Sequence, residues 1–154
     1  MTVKSFDGCG RCNQELLRLR LIADLPDVTL VTGSVPENEA LPDGCVFCGQ
    51  CAAKNTKSTY VAKGCPVSYA ELIYILGCIN DGISPLSKTY PVCLECKLKE
   101  NSCLFKDGVA CKGPVTEAGC GAKCPSASQP CSGCRGNFDG ANTELWDKLV
   151  SENK

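Results

Sequence analysis

The sequence predicts a small α/β layer over residues 1–86, then an irregular cysteine-rich segment over 87–136 and a closing helix within 137–154. Three observations carry this reading. Helix-periodic stretches and short apolar runs succeed one another as far as Ile83-Ser-Pro-Leu86, where the pattern breaks. From Tyr90 to Gly136 periodicity is weak, aliphatic residues are few, and Gly, Pro and Ser are frequent. That same stretch holds eight of the fifteen cysteines, between Cys93 and Cys134.

The elements follow in order. Asn13 to Asp24 (NQELLRLRLIAD) has apolar residues at 16, 17, 21 and 22 among strong helix formers, which predicts a helix with Cys9 and Cys12 in the loop leading into it. A helix N-terminus there would favour thiolates and a negatively charged group. Val28–Thr32, Val46–Phe47 and Thr59–Ala62 read as short strands. Ser68-Tyr-Ala-Glu71 has the form of a capping box before LIYILGCIN, whose Leu72, Ile75, Leu76 and Ile79 share one face. The expected order is therefore α, β, β, β, α. Near the end, Asn142 or Thr143 caps a helix with an apolar stripe of Leu145, Trp146, Leu149 and Val150, expected to pack onto the domain or a partner.

At 154 residues the chain is long enough to bury roughly 70% of its unfolded surface. Its 16 basic and 17 acidic residues give no electrostatic reason to expect nucleic acid or an anionic membrane as partner. No apolar run reaches the roughly 18 residues a membrane span needs, and the N-terminus lacks the pattern of a secretory signal. A soluble, cytoplasmic protein is the expectation. In that compartment an odd number of closely spaced cysteines points to metal rather than disulfides.

Zinc is one candidate, since CxxC pairs such as 93–96 and 131–134 also occur in zinc ribbons. Spacing favours iron–sulfur instead. From Cys93 to Cys134 the gaps run 2, 6, 7, 8, 3, 6 and 2 residues, which suits loops wrapped around a bulky cluster. Cys65-Pro66 and Cys124-Pro125 repeat a ligand-then-proline pattern of iron–sulfur loops. Alone, residues 90–136 could not bury enough surface to order their loops, and bound clusters would supply that order.

These residues carry a family likeness. YPVCLECKLKENSCLFKDGVACKGPVTEAGCGAKCPSASQPCSGCRG resembles the C-terminal half of the electron-transferring small subunit of nickel–iron hydrogenases, nearest the F420-reducing, methyl-viologen-reducing and sulfhydrogenase-type group. KGCPVSYAELI, DGCGRCNQELL, DVTLVTGSV and GQCAA are similar to that family's Cys-Pro turn, its CxxC-and-helix, its next strand and its G-x-C-A loop. The resemblance implies a truncated flavodoxin-like N-terminal domain, since only 38 residues separate Cys12 from Cys51, and a ferredoxin-like segment over 87–136. It also implies three [4Fe–4S] clusters. The proximal one would be held by Cys9, Cys12, Cys51 and Cys65. The medial one would be held by Cys120, Cys124, Cys131 and Cys134, and the distal one by Cys93, Cys96, Cys103 and Cys111, with Cys93 where many relatives have histidine. Cys45, Cys48 and Cys78 are left over; Cys45 or Cys48 is an alternative to Cys51, and Cys78 reads as a buried small hydrophobe. Thr32 stands where relatives commonly carry glutamate.

The function so implied is electron relay between a large-subunit active site, in a heterodimer, and an external carrier or further redox subunit. No catalytic residue is expected in this chain, so hydrogen chemistry would belong to the nickel–iron large subunit. A relay in a complex other than a hydrogenase is the alternative, and a structural zinc module the alternative of another class. Leu16, Leu17, Leu21, Ile22, Leu72, Ile75, Leu76 and Trp146 form more apolar surface than so small a layer is expected to cover, which points to an obligate interface.

Overall fold

The structure, a computed structural model, describes residues 1–22, 24–54, 56 and 58–152. The chain divides into two compact units, Met1–Leu86 and Ser87–Lys154.

The first unit is mixed α/β. Four parallel strands, β1 (Thr2–Ser5), β2 (Thr29–Thr32), β3 (Val46–Cys48) and β4 (Val61–Ala62), lie side by side in chain order. Val3 pairs with Leu30, Leu30 with Val46, and Phe47 with Val61. The two central strands are apolar and buried on both faces, as parallel strands covered on two sides must be. Leu30 and Val46 pack on one face against Leu16, Leu72 and Leu76, while Val31 and Phe47 pack on the other against Cys45 and Ala52. Each fully buried leucine contributes about 1.5–3 kcal/mol.

Several elements differ from expectation. The helix expected over 13–24 is α1 (Arg11–Leu17), continued by a 3-10 turn at Arg18–Leu21, so Cys12 lies within its first turn rather than in the preceding loop. Leu19, not predicted as a core residue, is fully buried. β1 and the short α2 (Gln50–Ala53) were not expected, because β1 is exposed at three of its four residues and α2 is a single turn. The helix after Ser68 is present as α3 (Tyr69–Asn80), but the Ser68 hydroxyl makes no capping bond, so the capping box is not formed. Leu16, Leu72, Ile75, Leu76 and Trp146 are buried within their own units, and of the residues assigned to an interface only Leu17, Leu21 and Ile22 stay exposed.

The second unit has little regular structure: α4 (Val92–Leu98), the single turn α5 (Lys123–Ser126) and α6 (Thr143–Glu152). The side chain of Asn142 accepts from Leu145 N at 2.9 Å and so caps α6. Loops are stitched by isolated bridges, Pro91 with Glu117 and Thr116 with Asn137, and by Val92 N donating to Thr116 O at 2.9 Å. Trp146 packs against Phe105 in a tilted pair, ring centroids 4.7 Å apart and planes at 48°. A small core of Val92, Ala122 and Cys131 is ringed by Cys96, Cys111 and Cys120. Among the described residues no helix is long and apolar enough to cross a membrane.

Candidate functional site

Parallel strands end at one edge of a sheet, and the loops that follow them meet there. Cys9 follows β1, Cys51 follows β3 in the first turn of α2, and Cys65 follows β4; Cys12 stands in α1, immediately after the β1 loop. Topology alone thus gathers four cysteines from three loops. The β1 loop is held down by Ser34 N donating to Asp7 O at 2.7 Å. Gly33, at φ +82, lies against the carbonyl groups of Phe6 and Asp7, where any side chain would overlap backbone. Val67 N donates to the Cys12 sulfur at 3.4 Å, fixing the turn after the cis Cys65–Pro66 bond to α1. Burial pushes the Cys12 thiol up, and the thiols of Cys65, Cys9 and Cys51 push it further. Cys9, Cys51 and Cys65 are exposed.

Cys45 and Cys48 behave differently. Cys45 is buried on the other face of the sheet, its thiol donating to Pro42 O at 2.9 Å. Cys48 is wholly buried beneath Cys12, and burial, then the Cys12 charge, pushes its thiol up to about 12. In metal-free chain at pH 8, a small alkylating reagent is expected to label Cys9, Cys51 and Cys65 quickly and to spare Cys45, Cys48 and Cys78 until the protein unfolds. Peptide mass mapping checks this; rapid labelling of Cys48 with protection of Cys51 would reverse their roles. Where relatives are expected to carry glutamate, buried Thr32 donates to Asn13 Oδ1 at 2.6 Å, a neutral contact in place of a carboxylate.

In the second unit α4 carries Cys93 and Cys96 three residues apart, on one helix face. Burial pushes the Cys93 thiol up to about 11, and Cys111, Cys96, Cys103 and Cys131 add to it in that order. Cys131 is buried between two neighbours, Cys111 and Cys120. Its backbone N–H donates to the Cys111 sulfur at 3.2 Å, and Lys112 N returns to Cys131 O at 2.9 Å. Cys120 lies beside the backbone N–H groups of Ala122 and Lys123, while Cys124 stands in α5 and Cys134 closes the CSGC turn. Glu95 joins α4 to this loop, accepting from Gly119 N at 2.7 Å and Ala122 N at 3.3 Å. Sequence reasoning passed over Glu95 and Arg135, since each reads as an ordinary surface charge beside a CxxC pair.

Among the described residues no three Cys, Asp or Glu side chains converge tightly enough for a single metal ion. A four-iron cube holds its thiolates farther apart than one ion does, so that spacing does not exclude a cluster. Two features fit one. Backbone N–H groups point at cysteine sulfurs in each unit, as a negatively charged cluster requires. Glycines also clear space beside those sulfurs: a Cβ on Gly49 would lie 2.5 Å from the Cys12 sulfur, and one on Gly113 would lie 3.1 Å from that of Cys93.

No protein-family model matches the chain. It is similar to hydrogenase subunits. It is 51% identical over 78 residues to the delta subunit of sulfhydrogenase 2 of Pyrococcus furiosus, covering 50% of this chain and 33% of that protein. It is 36% identical over 101 residues to a vhu subunit of the F420-non-reducing hydrogenase of Methanocaldococcus jannaschii, covering 54% and 35%. Over 40 residues it is 48% identical to a subunit of the F420-non-reducing hydrogenase of Methanothermobacter marburgensis, covering 26% and 13%. The chain spans about a third of the length of the first two relatives.

Proposed function

We propose that the chain is an electron-relay subunit of a nickel–iron hydrogenase, holding three [4Fe–4S] clusters at the three cysteine sets named above. The observation that carries this reading is the gathering of cysteines distant in sequence around Cys12 in one unit and around Cys93 in the other. Its likeness to hydrogenase subunits of two types points the same way. When bound, such clusters take up and pass on single electrons, with potentials set by burial and by hydrogen bonds to sulfur. The chain's own residues supply the N–H donors to sulfur. Direct contact between Cys131 N and the Cys111 sulfur supports a short step between medial and distal clusters.

The N-terminal unit is read as a flavodoxin-like domain lacking part of its sheet. A flavodoxin-like sheet has strand order 2-1-3-4-5, and removal of its edge strand 2 leaves four parallel strands in simple chain order, which is the order of β1 to β4. Its exposed Cys9, Cys51 and Cys65, at the edge where the strand-following loops meet, are read as the face covered by a large catalytic subunit. An external electron carrier would then meet the distal cluster.

The test is anaerobic purification of the tagged chain from its native host. A larger partner containing nickel is expected to accompany it. An iron-loaded chain that brings down a redox partner without nickel would overturn the hydrogenase assignment, and a stable, fully loaded monomer would point to a free-standing carrier.

A further inference from the structure

Arg135 follows the last cysteine of the chain and is 2% exposed, heading the large side chains that are fully buried. Its position is fixed from several sides. Nε donates to Ala118 O at 2.9 Å, and a terminal nitrogen lies 3.8 Å from Glu117 Oε1. The guanidinium also lies against Gly119, where a Cβ would come 2.7 Å from that nitrogen; Gly119, at φ +116, is the residue before Cys120. On its other side, Cys120 meets a carboxylate. Glu95 Oε2 lies 3.9 Å from the Cys120 sulfur, and the same carboxylate accepts from Gly119 N and Ala122 N. Opposite charges therefore act on one cysteine, Arg135 favouring its thiolate and Glu95 opposing it.

A buried guanidinium is costly to desolvate; the buried Glu117 carboxylate offsets part of that cost, yet the cation still lies against Gly119, next to Cys120. Its placement makes sense if charge changes beside it. One-electron reduction adds a negative charge to a cluster without breaking a bond; a fixed cation stabilises the reduced form and a fixed anion destabilises it. Salt screens the effect of buried Arg135 little and that of half-buried Glu95 more.

We propose that Arg135 and Glu95 set the reduction potential of the group held at Cys120, Cys124, Cys131 and Cys134 in opposite directions, Arg135 raising it and Glu95 lowering it. This rests on the electron-relay reading above. Both are positioning residues that act through Cys120 and its loop.

The test is potentiometry followed by electron paramagnetic resonance on anaerobically isolated protein, with iron and sulfide counted first. Arg135→Gln is expected to make reduction of this cluster about tenfold less favourable, a shift of about 59 mV downward for a one-electron couple. Glu95→Gln, which keeps one of the two oxygens that accept from Gly119 N and Ala122 N, is expected to shift it upward, by a smaller factor. Arg135→Lys, which keeps the charge, is expected to stay nearer the parent than Arg135→Gln. Loss of packing alone would not move the two neutral variants in opposite directions, so shifts of the same sign, or none, overturn the assignment. Where Arg135→Gln fails to load iron, Glu95→Gln decides alone: an upward shift supports the proposal, and no shift or a downward one overturns it. A parent protein without iron overturns the relay reading itself, whereas a loaded parent with immobile potentials overturns only the roles of Arg135 and Glu95.

Discussion

Isolated without oxygen, the chain is expected to contain about twelve iron and twelve sulfide, because the three proposed clusters take four cysteines each, twelve of the fifteen. The sets should be separable by single substitutions. Cys12→Ser is expected to remove about four iron while leaving the spectra of the second unit intact, since its neighbours are Cys65, Cys9 and Cys51. Cys131→Ser should do more. Cys131 is buried, adjoins Cys120, and donates its N–H to the Cys111 sulfur, so its loss is expected to disturb signals from both sites of the second unit. Cys78→Ser and Cys45→Ser should leave iron content unchanged, the cost appearing as stability because a hydroxyl replaces a buried thiol. Reproducible iron near eight per chain would remove one cluster from the reading. Stoichiometric zinc in colourless protein would overturn all three.

Gly49→Ala is expected to abolish the proximal cluster without changing a single cysteine. Gly49 sits at φ +88 between β3 and α2, and an added Cβ would lie 2.5 Å from the Cys12 sulfur. Backbone strain at such a position costs about 1–3 kcal/mol. The contact cannot be relieved by moving the loop away, since Gly49 N donates to Ala62 O at 2.8 Å and Gln50 N to Gly64 O at 2.9 Å. The sulfur must turn instead, and a ligand so displaced no longer faces Cys9, Cys51 and Cys65. About four iron should be lost, with the distal and medial signals retained. Gly77→Ala is the control: in α3 its Cβ would meet nothing within 4 Å, so it is expected to stabilise the unit by about 0.5–1 kcal/mol at full iron content. Equal iron in the two variants would show that Gly49 does not shape the site.

What could be read in advance follows the strength of the local signal. The α3 helix was legible because Leu72, Ile75, Leu76 and Ile79 repeat at helical spacing over about two turns. The buried strands β2 and β3 were legible as short apolar runs. β1 was not, because TVKS has no apolar face; it becomes a strand by pairing with β2, Val3 opposite Leu30. α4 hid for another reason. In VCLECKL the cysteines dominate the reading, yet Val92 is the residue that anchors the helix to the small core with Ala122 and Cys131.

By itself the sequence determined that the chain has a mixed α/β half and a cysteine-rich half, and which cysteines lie close along the chain, since composition, periodicity and spacing are properties of the chain alone. Tertiary structure decided the rest. Whether Cys45, Cys48 or Cys51 is left exposed depends on which face of β3 and which side of Gly49 each occupies, and three cysteines at equal spacing look alike until the sheet buries two of them. Whether Arg135 is a solvated charge or a buried one depends on Ala118, Glu117 and Gly119 closing over it from across the unit. Such contacts join residues far apart in the chain, and only the folded packing of loops brings their charges within range of one sulfur.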